Sequence, residues 1–467
     1  MSENKNVAVG SGELHPPREN KMGTMPVNKL LLSMALPMVI SMVIQALYNV
    51  VDSLYVAGIS PEQNEFTAIS LAFAAQNFLI AVATGTGVGI NALLSKSLGE
   101  KNFKEANKIA ANGVFLALCS YVVFLILGLT LMKTYMSWMT NDPEVIKFGV
   151  EYLSICYIFS FGIFGEIVME RLMISTGRTT LSMITQATGA IINIILDPIF
   201  IFTFKLGIRG AAIATVAGQI IAFGVAIFLN RRFNKDIHLT FRGFRPSGRI
   251  IGRIYAIGVP SIIMASIGSV MNILFNSILN SFGAVTGKYA QTAFGAYFKL
   301  QSFIFMPIFG LNNGIVPIVA YNYGARKRKR MLSAAKLGTL YAVGYMLVGL
   351  VLFQTIPETL VGIFLTNPES VAVAVPCVRI ISLSFIFAGF CIIIGSVFQA
   401  LGKSIFSMFV SITRQLVVLI PVAYLLSLAG NVDMVWWSFP IAEVASVIIS
   451  VVFFAIVYKK IISKIPE

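Results

Sequence analysis

Charge is scarce in this chain. Asp, Glu, Lys and Arg make up 12% of its 467 residues, about half the share found in soluble proteins, which excludes an ordinary water-soluble fold. Histidine is rarer, with only His15 and His238, so an enzyme relying on an imidazole or a histidine-held metal has little to work with. The four cysteines, Cys119, Cys156, Cys377 and Cys391, lie in apolar runs without ligand spacing and read as small apolar residues. Residues 1–28 are polar and lack the short apolar core of a secretory signal; they are expected to form a cytosolic tail. Nucleotide loops are missing too. "GKS" at Gly402 has Val397 where a phosphate loop needs glycine, and "GTGVGI" at Gly85 follows no strand. No cofactor and no ATP hydrolysis are expected, and any transport would draw on an ion gradient.

Hydrophobic residues, by contrast, make up 57% of the chain, and the mean hydropathy is +0.83. About 20 mainly apolar residues cross a bilayer as a helix. Twelve such runs occur, at 30–57, 67–94, 109–132, 148–173, 180–203, 210–230, 254–281, 290–321, 335–355, 372–398, 405–428 and 434–458. They predict an all-α integral membrane protein with no room for a soluble catalytic domain. The net charge of +15 comes from loops of one side: Lys96 to Lys108, Arg231 to Arg253, "RKRKR" at Arg326 to Arg330, and Lys459 to Lys464. The opposite loops hold only Lys133, Lys147, Lys205, Arg209 and Lys288. This is the positive-inside pattern. It predicts both termini in the cytoplasm of a cell-membrane protein and explains the basic charge without nucleic acid as a partner.

The sequence contains itself twice. Sliding it by 225 positions, so that Thr67 meets Thr292, brings Ala68, Phe73, Gln76, Phe78, Gly85, Gly89, Ile90 and Gly99 onto residues of their own kind. The same shift aligns Gly177, Ser182, Met183 and Thr188 with Gly402, Ser407, Met408 and Thr413, and a shift of 223 aligns Pro37 and Asn49 with Pro260 and Asn272. The expected organisation is a tail (1–28), a six-helix N-lobe (29–231), a basic cytosolic linker (232–253) and a six-helix C-lobe (254–467). An even count makes the lobes parallel repeats about an axis along the membrane normal, the plan of transporters that rock two halves around a midplane site. Gly85 and Gly89 recur as Gly310 and Gly314, the pattern of small residues at a close helix crossing. Both lobes lie in one chain, so a monomer is expected.

Acids inside the apolar runs are candidate functional groups, because burying one in a bilayer is costly. Asp52, Glu166, Glu170, Asp197 and Glu443 are so placed. Asn193 precedes Asp197 by one helical turn, and Pro198 removes the hydrogen bond to the Ile194 carbonyl. Together they offer oxygens to a proton or Na⁺, or else form a kinked helix with a structural acid. Asp52 continues a polar stripe through Gln45 and Asn49 that is expected to face the bundle interior. Pro37, further down that helix, is a bending point or a static kink. Glu166 and Glu170 either attract cations to a cavity or pair with Arg171 or Arg178. Asn272, the counterpart of Asn49, is a further cavity candidate. Glu443, Lys299, Arg379 and Arg414 read as a structural ion-pair set.

These features resemble the MATE (multidrug and toxic compound extrusion) transporters. The likeness rests on "ALPMVISMVIQALYNVVDSLYVAG" in the first helix and "NIILDPIFIFTFKLGIRGAAIAT" in the fifth and sixth. It implies export of amphipathic organic cations in exchange for H⁺ or Na⁺. It also implies an N-lobe coupling site at Asp52, Asn193, Asp197 and Thr215, and a bending proline at Pro37. Some members carry acids in the seventh and tenth helices. Residues 251–282 and 372–398 contain none here, so no C-lobe Na⁺ site is expected. A lipid-linked oligosaccharide flippase is the alternative; it would need a basic cavity for pyrophosphate, whereas the N-lobe offers acids.

Overall fold

A computed structural model describes residues 20–57, 59, 64–240 and 244–466. His15 and most of the expected tail lie outside the described residues, as do residues 241–243 of the linker. The first half comprises a short α1 (Lys21–Thr24), then α2 (Val27–Ala57), α3 (Asn64–Gly99), α4 (Phe103–Thr130), α5 (Met132–Met139), α6 (Pro143–Ile158), α7 (Phe161–Ser175), α8 (Thr179–Pro198) and α9 (Ile208–Phe233). The second comprises α10 (Gly248–Asn280), α11 (Thr286–Gly324), α12 (Arg328–Thr355), α13 (Pro357–Gly362), α14 (Pro368–Ser382), α15 (Phe385–Ala400), α16 (Ser404–Ile412), α17 (Leu419–Ser427), α18 (Val432–Trp436) and α19 (Ser438–Lys460). No strand occurs among the described residues. An all-helical backbone satisfies its own polar groups, as the hydrocarbon core demands.

Ten helices among the described residues are long and apolar enough to cross a membrane, and two bent pairs bring the number of spans to 12. The expected single spans at 148–173 and 372–398 are in fact broken: α6 meets α7 at 46° and α14 meets α15 at 49°. Neither break is a proline. At the first, the Ser160 N–H donates to Tyr157 O (3.2 Å), and at the second the Ser384 N–H donates to Ile381 O (3.0 Å). Each of these bonds closes a tighter turn than the α-helical ladder. The Ser384 hydroxyl also donates to Ile381 O (2.6 Å). The breaks occur at equivalent places in the two halves, which are built on one plan.

The halves meet where α3 packs on α10 and α11 packs on α2, and glycines permit the approach. A Cβ on Gly310 would stand 2.6 Å from Val39 Cα, and one on Gly314 would stand 2.8 Å from Ala35 Cα. The related pair on α3 is equally confined, Gly85 against Ile262 and Gly258, and Gly89 against the Ile254 carbonyl. Towards the end that carries the Lys and Arg clusters, Gly99 lies on the Tyr321 carbonyl and Gly324 on that of Lys96. Arg253 joins the halves there through Glu105 (2.8 Å).

The same basic end holds a strap. Met22 is fully buried, and Asn20 caps α1 by accepting from the Met22 N–H (3.0 Å) while donating to Thr176 O (3.0 Å). From the other half, Asn322 donates to Met22 O (3.1 Å), Lys327 to Gly23 O (2.9 Å) and Arg330 to Met25 O (2.6 Å). The strap therefore bridges the α7–α8 turn and the α11–α12 turn.

Alanine at Gly89 or Gly314 forces backbone apart at the seam. It should cost the closed arrangement about 1–3 kcal/mol, and the distances between spin labels at Lys104 and Lys336 should lengthen relative to wild type. Unchanged distances would show that close approach at the glycines is not required.

A buried carboxylate cluster as candidate functional site

Asp197 sits at the end of α8, where Pro198 interrupts the α-helical ladder and the chain continues as a π-helical turn, Ile199–Thr203. Such turns recur at functional sites. Asp197 is fully buried, as nearly are Asn193 and Thr215. With its amide turned to satisfy both sides, Asn193 donates from Nδ2 to Asp197 Oδ2 (2.7 Å). Its Oδ1 then accepts from the Thr215 N–H (3.0 Å) and hydroxyl (3.3 Å). α2 brings in Asp52, whose carboxyl stands within hydrogen-bonding reach of Asp197. Each acid keeps one buried oxygen, Oδ1, without a donor. Two carboxyls this close and this buried do not both stay ionised unless a proton or a small cation is shared between them.

Thus Asp52, Asn193, Asp197 and Thr215 come together. Tyr48 joins them, its hydroxyl within hydrogen-bonding reach of Thr215. The sequence reading passed over Tyr48, although it precedes Asp52 by one helical turn and so shares its face. Among the described residues, no group of three His, Cys, Asp or Glu could hold a metal ion.

A second acid pair lies on α7. Glu170 is buried; its Oε2 accepts from Gln186 Nε2 (2.8 Å), while Oε1 has no partner. Gln186 also accepts from the Ser41 hydroxyl, which ties α2, α7 and α8 together. The ion pairs considered for these acids do not form. Arg171 reaches across to Asn313 Oδ1 (3.0 Å), and Arg178 pairs with Asp236 (3.5 Å). Glu166, half-buried, turns towards Gly189 on α8.

Two other expectations need correction. Gln45 and Asn49 lie opposite the apolar face of Leu36, Leu47 and Leu54, yet both are exposed and not buried in the bundle; α2 packs on α8 in its own half and on α11 in the other. Asn272 is half-buried on α10 and accepts from Asn276 Nδ2 at Oδ1 (2.6 Å). The four-member ion-pair set reduces to Arg414 with Glu443 (2.8 Å); Lys299 lies over the Phe364 ring (5.6 Å), and Arg379 is exposed. Pro37 stands within α2. The Ser33 carbonyl, which a proline at position 37 cannot bond, accepts from the Thr179 hydroxyl (3.4 Å).

Comparison with known proteins adds a frame to this geometry. A family model described as MatE matches residues 37–199 and 260–425. The "Multidrug export protein MepA" of Staphylococcus haemolyticus is 26% identical over 415 residues, spanning 89% of this chain and 90% of that protein. Among solved structures, one described as MATE in complex with MaL6 superposes with a TM-score of 0.90 at 22% identity, covering 96% of this chain and 99% of its own. Another, described as the outward-facing conformation of a multidrug resistance MATE family transporter of the MOP superfamily, gives 0.89 at 22% identity, covering 95% and 98%.

Gln186→Leu would leave Glu170 with no donor, at a cost of about 1–3 kcal/mol. A lowered melting temperature should result. Adding Glu170→Gln should recover part of the loss, because the orphaned charge is then gone. A double variant as unstable as the single one would show that the two side chains are not coupled.

Proposed function

Because the chain belongs to the MatE family, we propose that it is a multidrug exporter driven by an ion gradient, a transporter and not an enzyme. One observation carries this reading: Asp52 and Asp197 stand within reach of each other, each with a buried oxygen that lacks a donor. Empty and ionised, the pair attracts an amphipathic organic cation; holding H⁺ or Na⁺, it no longer does. Antiport needs ligands that exclude one another, and competition for the same negative charge supplies that exclusion. Asn193, Thr215 and Tyr48 hold the pair in place from α8, α9 and α2.

The positive-inside rule puts the basic end, where the seam is tightly packed, in the cytoplasm, and in the proposed cycle the opposite end is the one that opens from this arrangement. Pro37 gives α2 a place to bend. Its freed partner, the Ser33 carbonyl, is held by Thr179 on α8, so bending there is coupled to the helix that carries Asp197. Glu166 and Glu170 add negative charge for an arriving cation. One chain forms the complete unit in the cell membrane, with small amphipathic cations and lipid as its partners.

Proteoliposomes loaded with ethidium and driven first by a pH gradient alone, then by a Na⁺ gradient alone, identify the coupling ion. Asp197→Asn and Asp52→Asn should each slow exchange at least about tenfold, the loss of roughly 1.4 kcal/mol of interaction. Full-rate transport by both variants would refute the assignment.

A further inference from the structure

The halves differ where the second carries an ion pair inside a span and the first carries two glycines. Shifting by 225 positions places Arg414 on Gly189 and Glu443 on Gly218. In the first half these two glycines form the crossing of α8 and α9: a Cβ on Gly218 would lie 2.8 Å from Gly189 O. In the second half the same crossing is bridged by Arg414 Nη1 and Glu443 Oε1 at 2.8 Å. The architecture closes this crossing without charge, so the ion pair is not what the fold requires. Buried ion pairs give little net stability, and ionisable groups within spans mark ligand or ion paths.

The surroundings specify the ligand's charge. Arg414 lies near the middle of the span Ser404–Ser427, in a π-helical turn, Thr413–Val418. Ser407 and Val410, seven and four residues earlier, are buried, so Arg414 shares the face turned into the bundle. Phe409 and Val417 are exposed on another face. The arginine side chain nonetheless keeps 25% of its surface accessible, against 10% for Glu443. Glu443 Oε2 is buried and without a partner. One edge of the guanidinium is thus committed to Glu443 while donors remain for a second acceptor. The acids of the first half have neutral counterparts here: Cys391 for Glu166, Gly395 for Glu170, and Val422 for Asp197. One half therefore presents carboxylates, and the other an Arg–Glu pair whose guanidinium stays the more accessible member.

We propose that Arg414 anchors an anion-binding site in the second half that receives the carboxylate of zwitterionic substrates. Glu443 is the internal counter-charge that keeps this contact weak enough to release. The inference rests on the exporter reading, since the carboxylate-rich half then takes the ammonium end of the same molecule.

Binding is measured on the full chain in lipid nanodiscs with three probes: ethidium, a zwitterionic fluoroquinolone, and the methyl ester of that fluoroquinolone. Arg414→Gln should weaken the acid about tenfold, the loss of a charge-assisted hydrogen bond, and leave the ester and ethidium unchanged. Glu443→Gln should tighten the acid. The neutral pair Arg414→Gln/Glu443→Gln removes both buried charges, and should lose the preference for acid over ester while melting like the wild type. A purely structural ion pair would instead lower the melting temperature of both single variants and leave the acid-to-ester ratio untouched, which overturns the proposal. It is equally overturned if neither fluoroquinolone form binds the wild type, or if only the exchange of chloride for gluconate registers at Arg414, since the anion would then be inorganic. Failure of ethidium alone to bind would count against the exporter reading and leave the acid-to-ester ratio to judge this site.

Discussion

A hydrocarbon interior offers no partner to a polar group, and every feature of this molecule answers to that constraint. The backbone satisfies itself in helices. Gly85, Gly89, Gly310 and Gly314 bring two helix pairs close enough for van der Waals contact, which does for membrane helices what apolar burial does in water. Most of the acids that remain in the spans, Asp52, Glu166, Glu170 and Asp197, lie in the first half. There Asn193, Thr215, Tyr48 and Gln186 partly satisfy them.

Both halves share the order of spans, the bends and the glycines of the seam, and their divergence is chemical. The first half concentrates negative charge at Asp52, Asp197, Glu166 and Glu170, while Arg414 and Glu443 sit in the second where the first has glycines. A pair of similar shells thus carries unlike interiors.

Much of this was legible in the residues. Runs of about 20 apolar residues mark the spans, the 225-residue shift exposes the repeat, and the four-residue step from Asn193 to Asp197 already implies contact. The bends at Phe159–Ser160 and Leu383–Ser384 were not legible, because no proline stands at either and a local hydrogen-bond switch produces them. Thr215 is 18 residues beyond Asp197 on the next helix, and only the family resemblance singled it out. Tyr48 shares a face with Asp52 by spacing, but its part in the cluster depends on its hydroxyl lying beside Thr215 on another helix. That Gln45 and Asn49 share a face follows from their four-residue spacing, but their exposure does not, since periodicity cannot tell an enclosed polar face from an accessible one.

The strap at Asn20–Met25 adds a consequence for the chain ahead of it. Its carbonyls are held by Asn322, Lys327 and Arg330 from one half, and its cap by Thr176 from the other. Any rearrangement that parts the two turns must peel this segment from at least one of them and bring Met22 into water. The chain ahead of Asn20 is thereby tied to both turns: under the proposed transport cycle each opening of the basic end pulls on it, and a bulky or tethered attachment there would act as a brake.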